Sequence, residues 1–401
     1  MKKFNKYFTL FLFCLFFLSF TYPAHTQTQS AKSGFKWPSS LTVGTNGVGS
    51  SSYASAVAWS AVIENITGMK VRVRPDNNAA AKSKWLKAGI IELNAEAISE
   101  TALFGLEARE GYATRDGGPF PIRIVWLGQA MPYGFMVRGD SPIRTIYDIK
   151  PGHRIAYYTA SPAAPAACDG LLAWAKVSKK DMVIVPFSSW PANIKAVAEG
   201  KADVAYSVPT APASFEAEAS PHGIRWLPMS YKADPEGAKR FATSRPDMLY
   251  GVCQEGVKSA IGVPMFVSPF YIYARADYDA EMAYQLTKWF HQNFDKYKDK
   301  HPNCKLMSIE FFREYLDVTY VPVHEGTIRY LKEIGKWTAK DDTRQKYNVD
   351  LVAKYEKAYK AAMGEADKKN IRIDPTNKEW VTLWEGFKKD LPGFKLMFEI
   401  P

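Results

Sequence analysis

Apolar and polar residues alternate briefly at Leu41 and Val43, and the alternation stops at Gly44. Gly44, Gly47 and Gly49 follow, then Ser50, Ser51 and Ser52. Beyond them Ala54, Val57, Ala58, Ala61 and Val62 recur at three- and four-residue spacing until Gly68. The pattern predicts a short strand, a tight turn, and a helix that starts at a serine cap and ends at a glycine. A turn of this kind aims free backbone N–H groups and the positive end of a helix dipole at one spot, which suits a carboxylate. An ordinary strand–helix connection in an α/β protein explains the same residues equally well.

The alternation continues in the same style. Val71 and Val73 predict a second strand, and Asp76, Asn77 and Asn78 a polar turn. A helix through Trp85 and Leu86 closes at Gly89, and residues 90–93 begin a third strand. Residues 123–128 and 133–137 read as two extended runs. From about Gly139 the scheme repeats: strand 154–158, a small-residue turn 159–167, a helix through Leu171, strand 182–186, a helix opened by Pro191 and closed by Gly200, and strand 202–208. The stretches 84–93 and 195–204 share one layout of helix end, glycine and strand. Alternating strands and helices predict parallel-type sheets with crossover helices.

We therefore expect an α/β fold of two lobes with similar topology. Residues 41–138 and 263–339 would form lobe 1, and residues 139–262 lobe 2. The segments 123–138 and 263–274 would be hinge strands between them. The small-residue turns would face the cleft, at the carboxyl ends of the strands where open parallel sheets bind ligands. Residues 340–401 carry Tyr355, Tyr359, Trp380, Trp384 and Phe387 at helical spacing and predict a C-terminal helical extension.

Composition adds the compartment. Lys2, Lys3 and Lys6 precede an apolar run from residue 8 to 20, then small and polar residues to Thr26, which is the pattern of a secretory signal peptide. Cys14 follows bulky Phe13, so lipid anchoring is not expected. Residues 1–26 would be removed, residues 27–40 would be a flexible lead-in, and the protein would be periplasmic and soluble. The formal charge of +11 falls to +8 without the three leader lysines. The remaining lysines are spread widely, with no basic block interleaved with aromatics, so nucleic acid is not the expected partner. Cys168, Cys253 and Cys304 allow one disulfide at most.

Candidate chemistry is thin. Gly47-x-Gly49-x-x-Ser52 departs from a dinucleotide fingerprint at its last glycine and lacks the following acid. His324-Glu325 starts like a zinc-protease helix, but Ile328 replaces the second histidine. The serines lack the hydrolase elbow. Glu92 and Asp203 each follow a helix-ending glycine, where solvated charges are common. No catalytic residue, cofactor or metal is expected.

Several segments, in order, resemble one family. They are Gly44-Thr45 with Gly47-Val48-Gly49-Ser50 and Tyr53, then Gly200-Lys201-Ala202-Asp203 with Pro209, then loosely Pro246 and Tyr250. The most specific runs from Val321-Pro322-Val323-His324-Glu325-Gly326 through Tyr330 and Glu333 to Gly335. Together they resemble the TAXI class of solute receptors of tripartite ATP-independent periplasmic (TRAP) transporters. The resemblance implies a type II periplasmic-binding-protein fold and delivery of a small organic acid or amino acid to an ion-gradient-driven membrane permease. Two segments near the expected pocket depart from the family, Ala160-Ser161-Pro162-Ala163 and Asp76-Asn77-Asn78, so the ligand does not carry over.

On this reading Ser50, Ser51, Ser52 and Ser161 hold a ligand carboxylate. Asn46, Tyr53, Asn77, Tyr158, Ser207 and Thr210 line the pocket. An arginine clamp is expected, with Arg138, Arg154 and Arg225 as candidates. A secreted enzyme on the same fold, and a ligand-sensing module for a membrane signalling partner, are the rival functions.

Overall fold

The computed structural model describes residues 34–397, so the leader assigned to residues 1–26 lies outside the described residues. Residues from Trp37 onward form one compact unit. In chain order its first part comprises β1 (Ser40–Thr45), α1 (Ser51–Thr67), β2 (Lys70–Pro75), α2 (Ala79–Lys87), β3 (Leu93–Ala97), a π-helical segment (Ile98–Phe104) and β4 (Ile122–Arg138). Next come β5 (Arg154–Tyr158), α3 (Ala163–Ala175), β6 (Val183–Phe187), α4 (Trp190–Ala198), β7 (Val204–Ser207), α5 (Pro212–Glu218), β8 (Ile224–Leu227), α6 (Pro235–Ala242) and β9 (Leu249–Val252). Then follow β10 (Pro264–Arg275), α7 (Ala280–Gln292), α8 (Phe294–Tyr297), α9 (Ile309–Leu316), α10 (Glu325–Glu333), α11 (Ala339–Lys368) and α12 (Lys378–Lys388).

The expected two-lobe α/β fold is present, and its halves match strand for strand. One half runs β2-β1-β3-β10-β4, the other β6-β5-β7-β4-β8. In each, three parallel strands are followed by an antiparallel strand that also serves the other half or arrives from it. β4 pairs with β10 as far as Tyr133 and with β7 and β8 from Gly134. β10 pairs first with β9 and then with β3. The two runs read as 123–128 and 133–137 are thus one strand. It is buried from Ile124 to Val137, and a strand covered on both faces loses the alternation by which runs are told apart.

The shared helix–glycine–strand layout has a physical basis. Gly89 and Gly200 both take left-handed φ, +70° and +69°. Three residues on, the Glu92 carboxylate accepts the Thr42 amide of β1 at 2.8 Å, and the Asp203 carboxylate accepts the Arg154 amide of β5 at 2.7 Å. Each acid ties its loop to the strand that opens its lobe. The third strand starts at Leu93, later than the predicted residue 90, because Ile90 to Glu92 complete the turn out of α2.

The His324 segment is architectural. Its imidazole Nδ1 accepts the Gly326 amide at 3.2 Å and caps α10. A Cβ on Gly326 would lie 2.0 Å from the Ala280 carbonyl oxygen, so glycine lets α10 approach α7. The Thr287 and Thr327 hydroxyls meet across that contact at 2.8 Å. The C-terminal helices pack on the loop after the π-helical segment: Trp384 and Trp380 donate to the Glu107 and Ala113 carbonyls at 3.0 and 2.9 Å, and Tyr359 to that of Thr114 at 2.8 Å. Cys168, Cys253 and Cys304 are buried and free, so no disulfide joins them.

Candidate functional site

The β1–α1 turn and the β5–α3 turn face one cavity. It encloses about 470 Å³ of empty space, counting the part open to solvent. Its walls lie at the carboxyl ends of β1, β3, β5 and β7 and at the change-over of β4, where Met131 and Tyr133 sit. Ser50 and Ser161, from opposite halves, both line it.

Ser50 is the N-cap of α1 and its Oγ accepts the Tyr53 amide at 3.2 Å. By helix geometry the first-turn amides have no carbonyl one turn earlier, so they point out of the helix end toward the cavity. Ser51 lines the wall with its hydroxyl 3.8 Å from the Met131 sulfur. Asn46 and Tyr158 also line it. The Asn46 amide oxygen accepts from the Lys82 ammonium, and the Tyr158 hydroxyl donates to the Asn77 carbonyl of the other half.

Ser52, Tyr53, Asn77, Ser207 and Thr210 do not line the cavity. Each step along α1 turns a side chain by about 100°. Ser52 instead meets the Ser50 hydroxyl at 3.3 Å, while Tyr53 supplies the capped amide. The Asn77 side chain lies against Gly47, where a Cβ would sit 2.2 Å from its Oδ1. Ser207 pairs with Ser214 at 3.2 Å as the chain turns into α5. Thr210 is buried in the same turn.

None of the three expected arginines reaches the site. Arg154 pairs with Asp203 at 2.6 Å, Arg138 with Asp140 at 2.6 Å, and Arg225 donates to the Gly139 and Ser141 carbonyls. The arginine in the wall is Arg245, 2% exposed. Its Nε and Nη2 make a bidentate pair with Asp247 at 2.8 Å each, and Nη1 donates to the Ala163 carbonyl at 2.9 Å. Five N–H groups less these three leave two, beside the buried Tyr206 hydroxyl.

Two acids complete the wall, Glu96 at the end of β3 and Glu100 in the π-helical segment. Glu96 is ion-paired with Lys82 at 2.6 Å, and both are buried. Glu100 accepts from the Ser161 hydroxyl of the other half and from the Tyr112 hydroxyl at 3.4 Å. Burial raises the Glu100 carboxyl to about 7. Glu96 adds to the rise, while Ser161, Lys82 and Arg245 oppose it. Buried ion pairs of this kind cost desolvation and are weak devices for stability. Their concentration in a cleft is the signature of a functional site.

The model of the NMT1-like family matches residues 43–335. No curated protein matches the sequence. Among solved structures the chain is similar to R. palustris Rpa4515 with adipate, at 14% identity over 66% of this chain and 88% of that one, with a TM-score of 0.46. It is also similar to an ancestral arginine-binding protein bound to arginine, at 13% identity, 66% and 98% coverage and TM-score 0.40. A third is the periplasmic aliphatic sulphonate binding protein SsuA from Escherichia coli, at 13%, 80% and 88%, and 0.38. At identities and TM-scores this low, these likenesses carry no weight for ligand or mechanism.

Proposed function

The chain belongs to the NMT1-like family, and we propose that it is an extracytoplasmic receptor that captures a small solute between its lobes and hands it to a membrane permease. The observation that carries this reading is a single cavity walled by both halves, with buried groups of both charges in its lining. The solute's carboxylate sits at the start of α1, against Ser50 and Ser51, with the Arg245 guanidinium closing from the other side, while Ser161 stays bonded to Glu100. Helix-start amides and a planar guanidinium are the usual partners of a carboxylate.

Closure turns on β4 and β10, the two strands shared between the sheets. The moving bodies are residues 41–138 with 263–339, and residues 139–262. Hinge closure around a ligand is the motion of periplasmic binding proteins. Residues 1–26 export the protein to the periplasm. Among the described residues, no helix is long and apolar enough to cross a membrane. The role is binding, not turnover. The permease is of the ion-gradient-driven TRAP type, as the TAXI-like segments suggest.

A thermal-shift screen of the purified protein against small carboxylic and amino acids tests the receptor reading. A solute at a hundred times its dissociation constant should stabilise by about 2.7 kcal/mol. A screen in which no small solute moves the midpoint overturns it, and solute consumption points to the enzyme alternative. Uptake into vesicles holding the permease should follow an imposed ion gradient; uptake that needs ATP overturns the TRAP assignment.

A further inference from the structure

The cavity wall holds one acid more than its cations neutralise. Lys82 is occupied by Glu96 at 2.6 Å, and Arg245 by Asp247 at 2.8 Å. Glu100 is 4% exposed and, among the described residues, its hydrogen-bond partners are two neutral hydroxyls, those of Ser161 and Tyr112. A buried carboxylate without a counter-ion is costly, and a bound cation removes that cost.

The rest of the wall is aromatic. Tyr133 and Tyr206 stack with centroids 5.3 Å apart and planes 10° from parallel. Trp190 meets Tyr158 and Tyr206 edge-on, at 5.2 and 6.0 Å. All four rings line the cavity. Aromatic faces attract ammonium groups, and cages of such rings recognise them. The buried Tyr206 hydroxyl interacts with the Arg245 guanidinium, and its ring completes the aromatic wall.

We infer that the solute is a zwitterion whose ammonium group lies between Glu100 and the aromatic wall of Tyr133, Tyr158, Trp190 and Tyr206, with its carboxylate at the α1 N-terminus and Arg245. This rests on the receptor reading and narrows it, from organic acids in general to those bearing an amine. A plain monocarboxylate leaves Glu100 without a counter-ion and a dicarboxylate sets a second negative charge against it, so both are discriminated against.

Other groups acting on Glu100 are Glu96 on β3, Lys82 on α2, Arg245 before β9, Tyr112 after the π-helical segment, Tyr133 on β4 and Tyr158 on β5. Burial raises all three tyrosines, so they stay neutral at ordinary pH. Capture of an ammonium group by Glu100 therefore favours the ionised carboxyl and releases a proton.

The test is calorimetric titration of the purified protein with amino acids, each paired with the acid lacking its amine, such as L-alanine with propionate and L-leucine with 4-methylpentanoate. The amine-bearing member of the best-bound pair should bind at least about tenfold more tightly, and Glu100→Gln should remove most of that preference. Should the variant not fold, the wild-type pH profile decides. Affinity for the amine should rise by about tenfold per pH unit below the Glu100 midpoint and level off above it. Equal binding of both pair members, or affinity that falls as pH rises, overturns the inference and leaves the receptor standing. No binding by any small solute overturns both.

Discussion

The two halves open alike in topology and differ in chemistry. In the first, β1 leads through a glycine turn to Ser50, whose hydroxyl is used locally to cap α1. In the second, β5 leads to Pro162, which caps α3 with no side-chain bond, and the neighbouring Ser161 hydroxyl reaches across to Glu100. The first opening thus offers the cavity backbone amides and the second a side-chain hydroxyl, and the second half's guanidinium comes from a distant loop, anchored by Asp247 and the Ala163 carbonyl. A duplicated topology sets where the ligand lies, whereas each lobe's own side chains set what it is.

If the second half depends on that anchored guanidinium, its anchor is the most sensitive point. Asp247→Ala strands a buried charge and should cost about 3–5 kcal/mol in urea unfolding. Pairing Arg245→Met with Asp247→Leu removes both charges and should recover most of that loss while binding is lost. A cost below about 1 kcal/mol for Asp247→Ala would mean the pair is solvated and the contrast between halves is overstated.

Glu100 belongs to the first half and is bonded to the second, so its proton reports on both. The ordinary glutamate value is 4.5, and the folded protein holds the proton up to about 7. Between these values the unfolded chain has lost a proton that the folded chain keeps. Stability therefore falls as pH rises through that window and stays lower above it, by roughly 3 kcal/mol. Glu100→Gln should lack this component, so its advantage over wild type should grow from pH 4 to pH 8 in denaturant titrations. Parallel pH curves for the two proteins would place Glu100 in contact with solvent.

Gly49 sharpens the contrast from the first half. Its φ is +86°, and a Cβ there would lie 3.0 Å from Cγ of Pro191 in the other half. The corresponding turn of the second half contains no glycine. Gly49→Ala should destabilise by more than about 1 kcal/mol through backbone strain. It should also enlarge the radius of gyration in solution scattering, because the added methyl group is relieved when the lobes part.

The first opening was legible because every local signal agreed: alternation ending at Gly44, a serine cap at Ser50 and a left-handed Gly68 closing α1. The paired glycines 89 and 200 disclosed the second lobe for a similar reason, since both end helices with positive φ. Within the site, Asn46, Ser50, Ser51, Tyr158 and Ser161 lie on or next to turns that the pattern located, and all five line the cavity. Glu96 and Glu100 were hidden because β3 runs on past the predicted residue 93 into a π-helical segment, whose winding gives no 3.6-residue periodicity. Arg245 sits in a loop, beside the Pro246 of a weakly matching segment, and a loop arginine looks like surface until the fold buries it. Lys82 follows the alanines of α2 and carries no sign that its partner is a buried acid.

The smallest effects separate the two serines. Ser50→Ala removes the α1 cap and should lower stability by about 1 kcal/mol. Ser161→Ala touches no cap, because Pro162 holds that place without a side-chain bond, and α3 should be unaffected. Its consequence is electrostatic: the Ser161 hydroxyl favours the ionised Glu100 carboxyl, so its loss pushes Glu100 still higher. The pH midpoint of solute binding should move up in Ser161→Ala and stay in place in Ser50→Ala, read by calorimetry across pH 5 to 9. If both serines lower stability equally and neither moves the midpoint, the two openings perform the same task and the division between amide donor and side-chain donor is wrong.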